Sequence, residues 1–217
     1  VANKTIEDKL NEGRQYRNIA AGNMDLRSES EGEYLVEGYA TTYNEPYELF
    51  SFENFTVREQ VDPHAFDEAN VDDVIMQYNH EGRVFARTKN GTLKLLSDEH
   101  GLQIRADLSG TELGREVFRE IKGGYTDKMS FGFNVLEDKR EETENKETGH
   151  VDILRTITRI GRLYDVSAVS IPANDATSIS ARAYGEGVIA EVAEEIRKRE
   201  ERERRMREIK ELCEVEK

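Results

Sequence analysis

The 217-residue sequence has a single cysteine, Cys213, so no disulfide can form within the chain. A reducing compartment such as a bacterial cytoplasm fits that composition. Positive charge is also scarce: 31 Lys and Arg stand against 45 Asp and Glu, a formal net charge of −14. Neutralising a phosphate backbone needs a surplus of cations, so nucleic acid is not an expected partner. No stretch approaches the roughly 20 apolar residues that cross a bilayer, and the N-terminus has no basic region followed by an apolar core. Neither a membrane span nor a secretory leader is expected.

The sequence is 36% hydrophobic and 35% charged. That balance fits one core with solvated appendages. Thr5 to Ala20 is polar with scattered Ile6, Leu10, Tyr16 and Ile19, a weak helical spacing that predicts a helix or an extension. Met24 to Val61 turns to short β-rich runs, and a short helical piece is expected at Ala65 to Ala69 after Asp62-Pro63. Val74 to Tyr78 reads as a buried strand ending at Asn79 and His80. Leu93–Leu96 and Leu102–Leu108 read as a hairpin whose Gly101 supplies a positive φ. Thr111 caps a predicted helix through Leu113, Val117, Phe118 and Ile121, ended by Gly123 and Gly124.

Met129 to Leu136 alternates as a strand, Glu137 to Gly149 reads as a solvated loop or hairpin tip, and Val151 to Ser170 as two strands broken near Gly161. Beyond Gly185 and Gly187 the chain is rich in Glu, Arg and Lys. Pairs such as Glu194 with Lys198 and Glu201 with Arg205 have the spacing that supports a long helix. The expected organisation is an N-terminal extension (1–22), a main domain (23–184) and a charged helical tail (185–217), in a mainly β chain with helices.

Three residues could carry acyl-transfer chemistry, which needs a hydroxyl, a base and a group that orients the base. His80 follows a buried strand and is flanked by Asn79, Glu81 and Gly82; alone, such a histidine is usually ordinary surface or core. Ser130 sits in Lys128-Met129-Ser130-Phe131-Gly132-Phe133, where an outward strand position is the plain reading. Asp165 lies inside the otherwise apolar Leu163-Tyr164-Asp165-Val166, where an acid needs an exposed face or a buried partner. Asp62, His64 and Asp67 have the chemistry of metal ligands, but no fourth ligand stands at a usual spacing. Neither metal nor cofactor is expected.

Six ordered segments resemble those of the phage prohead protease family: Glu37-Gly38-Tyr39-Ala40, Val61-Asp62-Pro63-His64-Ala65-Phe66, Tyr78-Asn79-His80, Gly101-Leu102, Met129-Ser130-Phe131-Gly132-Phe133, and Tyr164-Asp165-Val166-Ser167 through Pro172-Ala173-Asn174. The resemblance spans about Glu33 to Ser180, with His64 standing where the family pattern has Gly. It implies a β-barrel with peripheral helices, distantly similar to herpesvirus assemblin. It also implies Ser130 as nucleophile, His80 as base and Asp165 as the acid that orients the imidazole. Expected partners are the major capsid protein and scaffold, with a possible homodimer, and the expected location is inside the assembling prohead in the host cytoplasm. Backbone amides near Ser130, or Arg159 or Arg162, are candidate oxyanion donors. The rival expectation is a non-catalytic capsid assembly or scaffold protein.

Overall fold

Strand-forming alternation between positions 34 and 169 dominates the architecture. The computed structural model describes residues 14–19, 25–26, 34–52, 54–169, 192–199, 201–202 and 204–207. In chain order the strands are β1 (Gln15–Ile19), β2 (Asp25–Leu26), β3 (Leu35–Thr42), β4 (Tyr47–Phe52), β5 (Phe55–Val61), β6 (Ile75–Tyr78), β7 (Glu81–Arg87), β8 (Leu93–Ser97), β9 (Gly101–Asp107), β10 (Lys128–Asn145) and β11 (His150–Val169), with helix α1 (Glu112–Lys122) between β9 and β10. One sheet runs β1-β10-β11-β5-β4, with β6 and β7 attached through β11; a second runs β2-β3-β9-β8. Among the described residues the sheets do not close into a barrel, because β1 and β4 end the first path without pairing to each other.

The core lies between the two sheets. Val36, Ala40, Ile104 and Ala106 come from the smaller sheet, and Met129, Phe131, Phe133, Ile157, Ile160 and Leu163 from the larger; Val117, Phe118 and Ile121 of α1 complete it. The apolar face of α1 follows from its spacing, and Thr111 caps it by accepting from the Gly114 N–H at 2.9 Å. Such a cap contributes about 1 kcal/mol. Gly124, at φ 73°, carries the chain out of the helix toward β10.

Several sequence expectations are corrected. Gln15–Ile19, read as part of a weak helix, is a strand paired antiparallel with β10; main-chain pairing at a sheet edge overrides its local preference. Ala65 to Ala69 forms successive turns closed by Ala65 N–H to Asp62 C=O, Asp67 N–H to His64 C=O and Ala69 N–H to Phe66 C=O. Glu137 to Asn145 is strand, since each residue there finds a partner on β11 and only 146–149 turn. The two strands expected around Gly161 are one strand, and the break survives as register shifts between Gly132 and Asp138. Gly101 does not have a positive φ. Its Cβ would collide with the Thr41 carbonyl, so close approach of β3 is what demands glycine there.

The irregularity at Gly161 has a topological use. Before it, Val151–Ile157 pairs in parallel with β5; after it, Asp165–Ala168 pairs in parallel with β6. β11 therefore joins the β4-β5 hairpin to the β6-β7 hairpin, and it holds the loop after β6 beside β10. At the other end, Val192 is buried against Leu49, Val57, Val151 and Ile153, and Arg199 pairs with Glu144 at 2.5 Å. The start of the charged C-terminal segment is thus packed on the sheet, and residues 192–199, 201–202 and 204–207 are helical. The Pro172-Ala173-Asn174 segment, the Gly185–Gly187 boundary and Cys213 lie outside the described residues.

Inside the sheet, a buried charge cluster interrupts two apolar faces. Glu59 shares the inward face of β5 with Val57 and Val61, and Arg155 shares that of β11 with Ile153 and Ile157. Glu59 accepts from Arg155 Nη1 at 2.7 Å, from Arg17 Nε at 2.5 Å and from the Tyr47 hydroxyl at 2.5 Å, and Arg155 also pairs with Asp138. Burial alone would raise the Glu59 pKa, but the two guanidinium groups outweigh it and bring it down to about 2 from 4.5. A carboxyl more acidic in the folded than in the unfolded state stabilises the fold fully above its unfolded pKa and loses that contribution as pH falls through the folded one. Stability is therefore expected to decline by on the order of 3 kcal/mol as pH drops from about 4.5 to about 2. Chemical denaturation across that window checks it, and an unchanged midpoint would contradict it.

Candidate active site

Three strands bring His80, Ser130 and Asp165 together. Asn79 and His80 form the two-residue turn between β6 and β7, flanked by the Tyr78–Glu81 pair. Both adopt left-handed backbone, at φ 48° and 62°. Asn accepts that conformation readily, but a residue with a full side chain at the second position costs about 1 kcal/mol or more relative to glycine. The Asn79 N–H donates to the Ala168 carbonyl at 2.9 Å, tying the turn to β11. The imidazole is thereby aimed at β10 and β11.

Ser130 and Ser167 are opposite each other across β10 and β11, and Gly132 faces Asp165 one pair further on that side. His80 Nε2 lies 2.6 Å from Ser130 Oγ, and His80 Nδ1 lies 2.5 Å from Asp165 Oδ1. Asp165 Oδ1 also accepts from Ser167 Oγ at 3.0 Å, while Oδ2 accepts from Arg14 Nη2. Burial opposes ionisation of Asp165. The hydrogen bond and charge of His80, with the Arg14 guanidinium, overcome that and hold its carboxyl below the usual range. An ionised Asp165 keeps the Nδ1 proton in place and leaves the Nε2 lone pair directed at Ser130.

The expected residues are all at one locus, but their surroundings differ from the sequence reading. Ser130 is fully buried rather than outward-facing. Asp165 meets its need for a partner with three of them. Ser130 Oγ also lies 2.9 Å from the Arg17 carbonyl oxygen, a second acceptor within reach of its single proton, and the Tyr16 ring packs on the imidazole with centroids 4.3 Å apart. Arg14, Tyr16, Arg17 and Ser167 were not singled out from sequence. β1 carries no apolar alternation that would have marked it as a strand. The two candidate arginine oxyanion donors are elsewhere: Arg159 pairs with Glu137 at 2.9 Å, and Arg162 lies over the Tyr164 ring. Their register partners are seven and four residues along β10 from Ser130, roughly 23 and 13 Å at strand rise. His64 bonds Asp67 at 3.0 Å, and its N–H bonds Asp62, as parts of an exposed turn.

Gly132 is the glycine the site requires. A Cβ there would collide with Asp165 Oδ2, lie 2.9 Å from Arg14 Nε and 3.1 Å from the Tyr16 ring. Gly132→Ala is expected to push Asp165 off the imidazole and lower any turnover at least about 10²-fold, the scale set by ångström misplacement of catalytic groups. Steady-state kinetics beside a thermal melt checks this: an active variant with unchanged rate would contradict it.

A buried, continuous carboxylate–imidazole–hydroxyl chain can deprotonate the hydroxyl for attack on a carbonyl carbon and return the proton to a leaving amine. A family model described as Caudovirus prohead serine protease matches residues 22–190, which include His80, Ser130 and Asp165. No curated protein and no solved structure matches the chain.

Proposed function

The chain belongs to the caudovirus prohead serine protease family, and on that premise we propose that it is an active serine endopeptidase whose nucleophile, base and orienting acid are Ser130, His80 and Asp165. The family places its role in phage capsid maturation. The observation that carries the residue assignment is the chain of contacts from Asp165 through His80 to Ser130, at 2.5 and 2.6 Å, on residues drawn from β11, the β6–β7 turn and β10. An incidental polar cluster has no need to spend left-handed backbone at His80 or a glycine at 132.

In the reaction Ser130 Oγ attacks the scissile carbonyl and His80 Nε2 takes its proton. Asp165 holds the imidazole and balances the imidazolium, and His80 then protonates the departing amine. Water attacks the acyl-enzyme by the same route in reverse. The substrates we assign are scaffold, or the scaffold-like segment of the major capsid protein, and the protease chain itself, met inside the assembling prohead. The main domain (23–184) would carry the chemistry and the flanking segments would carry docking or processing sites.

Incubating the wild-type chain and its His80→Ala variant with capsid precursor, and following both by gel, tests the proposal. Processing by the wild type alone is the expected result. Equal processing by both would remove His80 from the role of base, and processing by neither would return the chain to the reading of a non-catalytic assembly protein.

A further inference from the structure

β1 has the properties of a bound peptide more than of a structural edge strand. It pairs antiparallel with β10 over the five residues from Gln15 to Ile19, placing Asn18 opposite Ser130. Extended substrates commonly add to a sheet edge in this way, main chain giving affinity and alternate side chains giving selectivity. The Arg17 carbonyl oxygen lies 2.9 Å from Ser130 Oγ. On one side of β1 the Tyr16 ring packs on His80 and Arg14 reaches Asp165. On the other, Gln15 and Arg17 are each only 4% exposed.

The pocket around Arg17 is built for a cation. Its guanidinium donates to Glu59 at 2.5 and 3.1 Å and to Gln15 Oε1 at 2.8 Å, and it lies over the Phe133 ring. Among the described residues paired in the cluster, and with β1 set aside, two carboxylates, Glu59 and Asp138, stand against one guanidinium, Arg155. Arg17 supplies the missing positive charge. An edge strand that served only to finish the sheet would bury apolar side chains, because a buried guanidinium costs several kcal/mol unless matched by a partner. β1 also lies ahead of the matched family residues 22–190.

We propose that β1 occupies the substrate groove, with Arg17 in the place of the residue whose carbonyl is attacked, and that Glu59 makes the enzyme selective for a basic residue at that place. This rests on the serine protease reading above. The chain's own Arg17–Asn18 bond is the bond so presented. Ser130 Oγ bonds to the Arg17 carbonyl carbon and its proton passes to His80 Nε2. The C–N bond to Asn18 breaks as His80 protonates the Asn18 amine, and water hydrolyses the ester to an Arg17 carboxylate and a restored Ser130 hydroxyl. Until β1 leaves, the fully buried Ser130 is closed to other peptides, so the self-cut precedes cutting in trans.

The test labels new N-termini on the full chain, incubated with capsid precursor, and reads them by mass spectrometry after digestion with a protease that does not cut at Arg or Lys. The proposal predicts a new N-terminus at Asn18, retained in Arg17→Lys and slowed on the order of 10²-fold or more in Arg17→Glu, which places a like charge beside Glu59. It also predicts precursor cuts that follow Arg or Lys, and Ser130→Ala should show none of these termini. Glu59→Gln also unpairs Arg155 and is open to misfolding, so the Arg17 series decides. A cut precursor without a terminus at Asn18, cuts that follow acidic or apolar residues, or an Arg17→Glu chain cut as fast as wild type would overturn the selectivity while leaving the protease intact. No new terminus in chain or precursor from the wild type would overturn the protease reading, and this inference with it.

Discussion

Ser130→Ala is expected to lower the rate of precursor processing by on the order of 10⁶-fold, the scale at which loss of a nucleophile abolishes covalent catalysis. The fold should survive. The Ser130 side chain is fully buried and its hydroxyl bonds to His80 and the Arg17 carbonyl. Removing one such hydroxyl costs about 1 kcal/mol, a shift of only a few degrees in Tm for a domain of this size. Rate and melting temperature measured on the same preparation therefore separate chemistry from stability. A variant that retains more than about a thousandth of wild-type processing would place the nucleophile elsewhere.

Asp165→Asn is expected to cost about 10⁴-fold in turnover with little change in site geometry. The amide is close to isosteric, but it can turn its NH₂ toward His80 Nδ1. The imidazole is then held with its proton on Nε2, where it cannot accept from Ser130. The substitution also removes the charge that Arg14 and Ser167 contact in the buried carboxylate, so a modest loss of stability accompanies the kinetic one. The kinetic loss should appear in kcat rather than KM, because the imidazolium that Asp165 stabilises forms only along the reaction path. A loss confined to KM would make Asp165 a binding or structural residue.

Much of the sheet was legible because its strands alternate or are apolar runs bounded by turns. The buried face of β9 (Leu102, Ile104, Ala106) and the stripe on α1 were both readable as patterns. The length of β10 was not. Glu137 to Asn145 is acidic and mostly exposed, and it is strand because β11 runs alongside it, a partner that local composition does not announce. β1 failed for the same reason: its partner is more than a hundred residues away in sequence.

The candidate site was legible only through the order of several segments, since neither His80 nor Ser130 has local spacing that marks it. Two signals were nevertheless available in the residues themselves. Gly132 lies between Phe131 and Phe133 inside a strand, the usual mark of a close approach, and Asp165 is what approaches. Glu59 and Arg155 fall on inward positions of otherwise apolar strands, one acid and one base that had to find partners. Reading the two together would have anticipated a buried charge cluster. It would not have shown that Arg17 completes it.

The central claim is that acyl transfer runs through Ser130. Acid-quenching a processing reaction and mapping the trapped acyl adduct by peptide mass spectrometry tests it most directly. The account predicts a transient adduct on the peptide carrying Ser130, absent in Ser130→Ala, and none on Ser167, the neighbouring hydroxyl that donates to Asp165. An adduct on Ser167, or wild-type turnover with no adduct on Ser130, would contradict it.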